Sequence, residues 1–305
     1  MMSLANAAKD YLALRRALGF KLRHETWWLP DFVAYLETHG SAVITTELAL
    51  NWARQPADGD PNWWAKKLGA VRRFARHHRA YDPRTEVPAQ DLIPYRRRRK
   101  TPHIYSAAEI SALLRQATCL PHSLQSATYT TLLGLIASTG MRVGEAIALD
   151  LHDVDWHRVL LTVRNGKFNK SREIPVHTTT LAALRAYAQQ RGRVRCSTPS
   201  FFVSRAGTRL LAQNVGLVFS RLRERAGLSS RGVRTPRIHD LRHTFAVRTL
   251  QQWYGEGIDV ERRLPWLSTY LGHVSPSTTY WYLTATPELL AIASERAERF
   301  WQVQS

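Results

Sequence analysis

Residues 82–102 limit what this chain can fold into. Pro83, Pro88, Pro94 and Pro102 recur through the stretch, and each proline removes a backbone donor and clashes within a helix. Arg96, Arg97, Arg98, Arg99 and Lys100 form an unbroken run of cations, which repel one another and stay solvated. Such a stretch holds no packed core. The chain is therefore expected to divide into a helical domain over 1–95, a basic linker over 96–104 and a second domain over 105–305.

Before the break the pattern is helical. Over residues 4–20, Leu4, Ala8, Tyr11, Leu12, Leu14 and Leu18 fall on one apolar stripe, at the helical period of about 3.6 residues. A second helix is expected over 25–37 despite Pro30, a third from Glu47 with Thr46 as its cap, and a fourth over 63–81. The fourth mixes Lys66, Lys67, Arg72, Arg73, Arg76 and Arg79 with Trp63, Trp64 and Phe74. That mixture fits the solvated face of an ordinary amphipathic helix, and it equally fits a surface lying along a phosphate backbone. Composition favours a polyanionic partner: Lys and Arg number 43 against 24 Asp and Glu, a net charge of +19. Arg72, Arg73 and Arg76, with Arg96–Arg99 and Lys100, are the candidate contacts to double-stranded DNA.

Two cysteines, Cys119 and Cys196, give no disulfide framework and no zinc ribbon. The first ten residues lack a hydrophobic signal core, and no apolar run approaches the about 20 residues needed to span a bilayer. A cytoplasmic, nucleoid-associated protein with no membrane partner is expected.

Beyond the break, Ser106 and Glu109 have the spacing of a capping box. Residues 124–138 read as a buried helix leading into Thr139-Gly-Met-Arg-Val-Gly-Glu145. Residues 159–164 and 172–176 read as two strands around an Asn165-Gly166 turn. Helices are expected over 178–191, 215–226, 239–253, around Tyr280 and over 287–301, with a short strand at 201–204. The fold class is mainly α (α+β), with one small antiparallel sheet.

Four places gather groups suited to a phosphate. Arg142 carries a planar fork of donors that matches phosphate oxygens, although many arginines merely cap helices. Lys167 sits in the hairpin turn, where most lysines are simply exposed. His239 and Arg242, three apart on a helix, share a face and are followed by His243. His273 follows Leu271-Gly272, and Tyr280 and Tyr282 come after a Ser-Pro turn. A tyrosine hydroxyl, with a pKa of about 10, becomes a nucleophile only when its proton is removed and an electrophile is held in line.

Taken in order, Thr139–Glu145, Gly166-Lys-Phe-Asn-Lys170, His239-Asp-Leu-Arg-His243 and Leu271-Gly-His273 followed by Tyr282 resemble the boxes of the tyrosine recombinase family, which includes phage integrases and Xer-type resolvases. The segment Tyr11–Phe20 is similar to recombinases of bacterial mobile elements. The resemblance implies the tyrosine recombinase fold with a helical, SAM-like core-DNA-binding domain at the N-terminus. It implies that Arg142 and Arg242 grip the scissile phosphate, that His273 adds a hydrogen bond, and that Lys167 protonates the departing 5′-oxygen. His239 would assist proton transfer around Tyr282, the nucleophile that forms a 3′-phosphotyrosyl link. Glu145 would accept a hydrogen bond from an active-site cation, or serve only the helix dipole. No metal, cofactor or small-molecule ligand is implied, and the working form would be a homo- or hetero-tetramer of protomers on DNA.

The pattern departs in places. Phe168 follows Lys167 where many members have glycine, which makes Lys170 a competitor for the lysine role. Residues 254–259 read as an inserted loop, and Tyr280 competes with Tyr282, though the interval from His273 favours Tyr282. Besides a recombinase, a DNA-binding subunit without catalysis and a type IB-like topoisomerase remain as alternatives. The helix at 287–301 would pack on its own domain or on a neighbour.

Overall fold

A computed structural model describes residues 3–95, 101–164, 171–228, 235–273, 275, 277–284, 291 and 294–295. The chain forms two compact units, Met1–Arg99 and Lys100–Ser305. The cation run at 96–100, the expected Asn165-Gly166 turn with the rest of 165–170, and most of 285–305 lie outside the described residues. No helix among the described residues is long and apolar enough to cross a membrane.

The first unit packs four helices, α1 (Leu4–Ala17), α2 (Glu25–Thr38), α3 (Thr46–Ala53) and α4 (Pro61–His78). Their core joins Leu29, Phe32, Leu36, Trp52, Leu68, Val71 and Phe74, all essentially inaccessible to solvent. Three sequence expectations change here. The apolar stripe of α1 ends early, because Leu14 and Leu18 are exposed while Ala7 is buried in their stead. Thr45, not Thr46, caps α3, its hydroxyl accepting from the Leu48 N–H at 3.2 Å. Lys67 does not belong to a basic face. It is buried, with Nζ donating to the carbonyls of Trp52 (3.2 Å) and Gln55 (3.1 Å) and lying 4.1 Å from the centroid of the Trp52 ring. Carbonyls at and just past the end of α3 lack the donors a continuing helix would supply. Lys67 donates to that of Gln55 and supplements the Gln55 N–H at that of Trp52, while its charge rests on an aromatic face.

The second unit is helical around one small sheet. Helices α5 (Ala107–Thr118) and α6 (Ser123–Thr139) lead through the short α7 (Val143–Ala146) to the strands β1 (Val154–Asp155), β2 (Leu160–Val163) and β3 (Arg172–Pro175). The order is β1-β2-β3, antiparallel throughout, with Leu161 paired to Ile174 and Val163 to Arg172. Then come α8 (Thr178–Gly192), α9 (Ala212–Arg225), α10 (Asp240–Gly255), α11 (Val260–Leu271) and α12 (Ser277–Tyr280). The Ser106 capping box is present, with Glu109 Oε2 accepting from the Ser106 N–H at 2.7 Å. Buried α6 contributes Leu132, Leu133, Leu135 and Ile136 to the main core, with Phe201, Phe202 and Tyr187 beside them.

Residues 201–204 form no strand. The segment makes only isolated antiparallel bridges, Asp150 with Ser200 and Val203 with Arg209, and the Val203 N–H is taken by the Tyr187 hydroxyl (3.1 Å). The expected loop at 254–259 is also shorter, because α10 continues through Gly255 and α11 starts at Val260. Helix α11 escaped the sequence pattern because Pro265 lies inside it.

Replacing Lys67 with alanine is expected to cost the first unit about 1–3 kcal/mol, by taking the donor from the Gln55 carbonyl and leaving the Trp52 carbonyl only its bond from the Gln55 N–H. Lys66→Ala should change little. Hydrogen exchange of α3 and α4 in the full-length protein would report the difference.

Candidate active site

Two helix ends create the site. Helix α6 terminates at Gly140, whose φ of +63° is the left-handed conformation that glycine adopts without penalty. Space excludes a side chain there too, since a Cβ would lie 2.6 Å from Cδ1 of Phe245. The freed Gly140 carbonyl accepts from Nη1 of Arg242 at 2.7 Å. Helix α11 ends the same way at Gly272, with φ +67°, and a Cβ there would lie 2.7 Å from Nη1 of Arg172.

The last carbonyls of α11 then serve three arginines from three different elements. Tyr270 accepts from Nε of Arg172 on β3 at 2.9 Å. Leu271 accepts from Nη2 of Arg242 on α10 at 2.7 Å. Gly272 accepts from Nη2 of Arg142, at the start of α7, at 3.0 Å. A helix C-terminus carries unpaired carbonyls and the negative end of the dipole, so it suits cations. Arg242 is 2% exposed. Burial, then the charge of Arg142, lower its pKa to about 10, and it stays charged at neutral pH.

Among the described residues, Glu145 supplies the one carboxylate in this cluster. Its Oε1 accepts from Nη1 of Arg142 at 2.6 Å and its Oε2 from Nη2 of Arg172 at 2.8 Å. Oε2 also accepts from the Arg142 N–H at 3.1 Å. Burial by itself would raise its pKa, yet hydrogen bonds and charge from Arg172, then Arg142, bring it down to about 2. Breaking such a buried pair costs about 3–5 kcal/mol. The exposed Arg158–Glu173 pair on the sheet, by contrast, is worth about 0–1 kcal/mol. Glu145 therefore anchors Arg142 as well as meeting the needs of its own helix.

Tyr282 lies in the 3-10 turn Trp281–Thr284 that follows α12. It is 2% exposed and packs with Ala246, Val247, Leu250, Val260, Leu264 and Leu271. Its hydroxyl is 2.9 Å from Nδ1 of His243, the residue after Arg242. The His273 ring lies nearly parallel to the Tyr282 ring, 20° apart with centroids at 6.2 Å, and its Nδ1 is 2.7 Å from the Thr279 hydroxyl. His239 packs edge-on against His243 at 4.8 Å. Arg142, Arg242, His273 and Tyr282 thus meet around one helix end, with His239 reaching the tyrosine through His243. Tyr280 is exposed. Lys167, Phe168 and Lys170 lie outside the described residues.

The imidazoles are held neutral. Burial, with His239 and Arg242 adding to it, lowers the His243 pKa to about 4. Burial and then Arg242 and Arg142 lower that of His273 to about 3. Burial and then Arg242 push His239 the same way, yet its ring is exposed. Exposure decides here, because water reaching the ring screens that push, and His239 is shifted less than the other two.

A model of the phage integrase family matches residues 105–288, the span holding every one of these groups. The chain belongs to this family, the tyrosine recombinases. It is similar to the putative integrase/recombinase y4rB of Sinorhizobium fredii, 43% identical over 99% of both chains. Tyrosine recombinase XerC of Herpetosiphon aurantiacus is 30% identical over 77% of this chain and 73% of its own. Among solved structures, the Tn1549 transposon integrase in complex with transposon right end DNA superposes with a TM-score of 0.69 at 15% identity, covering 98% and 99% of the two chains. The fold is that of the tyrosine recombinases.

Two groups at this recombinase site escaped sequence reading. Arg172 looks like any strand residue, and only its return to the end of α11 gives it a place. His243 was in view beside Arg242, but nothing in its spacing points to Tyr282. Of the candidate DNA contacts on α4, Arg72 donates to the carbonyls of Pro88, Ala89 and Gln90, Arg73 pairs with Glu25 at 2.8 Å, and Arg76 is exposed. Asp150, His152 and Asp153 form a cluster of metal-ligand type among the described residues. Arg209 and Arg164 already pair with its two carboxylates.

The neutral histidines set an acid limit. A group whose folded pKa lies below its unfolded value gives stability that is lost as pH falls between the two. His243 and His273 act from the ordinary 6.5 downward, whereas Glu145 acts only below 4.5. The melting temperature is expected to fall as pH drops from 7 to 4.5, less steeply in His243→Asn. Calorimetry over that range checks it.

Proposed function

We propose that this tyrosine recombinase is a site-specific DNA recombinase that cleaves and rejoins double-stranded DNA through a 3′-phosphotyrosyl intermediate, with Tyr282 as nucleophile. The observation that carries this reading is the end of α11, which gathers Arg142 and Arg242 beside His273 and Tyr282. Arg142, Arg172 and Arg242 against the single carboxylate of Glu145 leave the cluster net positive, as an anionic ligand requires.

The chemistry follows from those charges. Attack of the Tyr282 oxygen on phosphorus builds negative charge on the non-bridging oxygens. Arg142 and Arg242 face that charge from fixed positions in a largely buried site, where such stabilisation is strongest. His273 adds a hydrogen bond to the same oxygens. Lys167 protonates the departing 5′-oxygen. Because the phosphotyrosyl link keeps the energy of the phosphodiester, the 5′-hydroxyl rejoins the strand by the reverse attack without a nucleotide cofactor.

The first unit and the basic linker at 96–104 are assigned to holding the duplex, with residues 105–305 as the catalytic domain. Protomers work as a tetramer on two duplexes, as the family resemblance implies, and the protein is nucleoid-associated. The similarity to a transposon integrase supports a role in a mobile element.

The target site is recovered first, by crosslinking the protein to DNA in cells and sequencing what it holds. On a nicked duplex of that site, wild type is expected to accumulate a covalent adduct on a denaturing gel. Tyr282→Phe should bind the same duplex and form none. An adduct that persists in Tyr282→Phe would remove Tyr282 from the role, and no adduct with wild type would favour a non-catalytic DNA-binding subunit.

Neutralising Arg96–Lys100 is expected to weaken binding and reduce the dependence of log K on log salt by up to about 0.9 for each phosphate left without its cation. An unchanged slope in a salt titration would take the linker off the DNA.

A further inference from the structure

We propose that His243, rather than His239, receives the phenolic proton of Tyr282 when the tyrosine attacks DNA, which makes it a catalytic residue of the same site. The inference rests on Tyr282 being the nucleophile. Its basis is the contact between Nδ1 of His243 and the Tyr282 hydroxyl at 2.9 Å, the hydrogen-bond reach a general base requires.

The other imidazoles are placed differently. Nδ1 of His273 is engaged by Thr279 at 2.7 Å, and its ring stacks alongside the tyrosine ring. His239 meets His243 edge-on at 4.8 Å. His243 itself is gripped on several sides, with the Trp281 ring 5.6 Å away in a T-shaped contact and the Tyr282 ring at 5.5 Å. It is also fixed along the chain. Its neighbours on α10, Arg242 and Thr244, are buried, so the phosphate clamp and the base ride on consecutive residues of one rigid helix.

Protonation fits this role. His243 is neutral in the free protein, and in the tautomer with its proton on Nε2, which the proposal requires, Nδ1 offers a lone pair to the phenol. A scissile phosphate seated between Arg142 and Arg242 adds negative charge nearby and raises the proton affinity of the imidazole. The transfer accompanies bond formation, because the phenol loses its hold on the proton as its oxygen bonds to phosphorus.

The balance closes. The O–H bond of Tyr282 breaks and its proton moves to Nδ1. The tyrosine oxygen bonds to phosphorus, the bond from phosphorus to O5′ breaks, and O5′ keeps the electron pair and takes a proton from Lys167. In religation each proton returns by the same path.

The test measures single-turnover adduct formation on the nicked duplex of the recovered site, made with either oxygen or sulfur at the bridging 5′ position. A sulfur leaving group needs no proton, so it bypasses a general acid and leaves the need for a base. His243→Ala is expected to slow the adduct about 100-fold or more with both substrates, and added imidazole to recover part of the rate. Lys167→Ala should be slow with oxygen and restored by sulfur. His243→Asn places an amide near Nδ1 that holds the hydroxyl and cannot take its proton, so it should fold, bind DNA and remain slow even if the alanine variant is unstable. A wild-type rate in His243→Asn, or restoration of His243→Ala by sulfur, would overturn the inference. An adduct persisting in Tyr282→Phe would instead overturn the reading on which it stands.

Discussion

Three guanidinium groups drawn to one place repel one another, and the end of α11 is what holds them. Its successive carbonyls at Tyr270, Leu271 and Gly272 accept from Arg172, Arg242 and Arg142 in turn. Each bond to a charged donor is worth more than an ordinary one, and all three use groups that a helix terminus leaves unpaired in any case. Glu145 adds the countercharge, bridging Arg142 and Arg172. The result is a cluster whose cations are fixed before any anion arrives, which is the condition under which electrostatic stabilisation of a phosphoryl transition state is most effective.

The glycines of the motifs follow from the same constraint. Gly140 and Gly272 each end a helix in the left-handed conformation, and each turns a carbonyl toward an arginine. A side chain at either position would meet Phe245 or Arg172 at less than van der Waals distance. The pairs Thr139-Gly140 and Leu271-Gly272 are thus geometric requirements of the arginine cluster. They contribute without touching a substrate.

Much of this can be read from the sequence, and the parts that cannot share a cause. The proline-rich break, the Ser106–Glu109 cap and the pairing of 160–163 with 172–175 are local, so periodicity and turn chemistry reveal them. The residues that meet at α11 come from segments the sequence singles out, because each combines a helix-ending glycine or a His/Arg pair with a polar neighbour. Arg172, His243 and Lys67 are different. Each takes its meaning from a partner distant in the chain: the Tyr270 carbonyl, the Tyr282 hydroxyl and the end of α3. A one-dimensional pattern scores a lysine as exposed and a strand arginine as ordinary, and only folding shows which helix end lies within their reach.

The division between cations and imidazoles carries the last step. A site that binds a phosphate and also removes a proton must keep some groups charged and others neutral in the same confined space. Arginine resists losing its proton, so burial leaves Arg242 charged at neutral pH even though its pKa is lowered to about 10. Histidine yields: burial, then His239 and Arg242, takes His243 to about 4, and burial, then Arg242 and Arg142, takes His273 to about 3. The cluster at the end of α11 therefore does two things at once. It presents positive charge to an anion, and through Arg242 it adds to the burial that keeps the imidazole beside Tyr282 unprotonated. In the proposed reaction, entry of a phosphate offsets the push from Arg242 and raises the proton affinity of His243, so binding the anion and activating Tyr282 would be coupled through that charge.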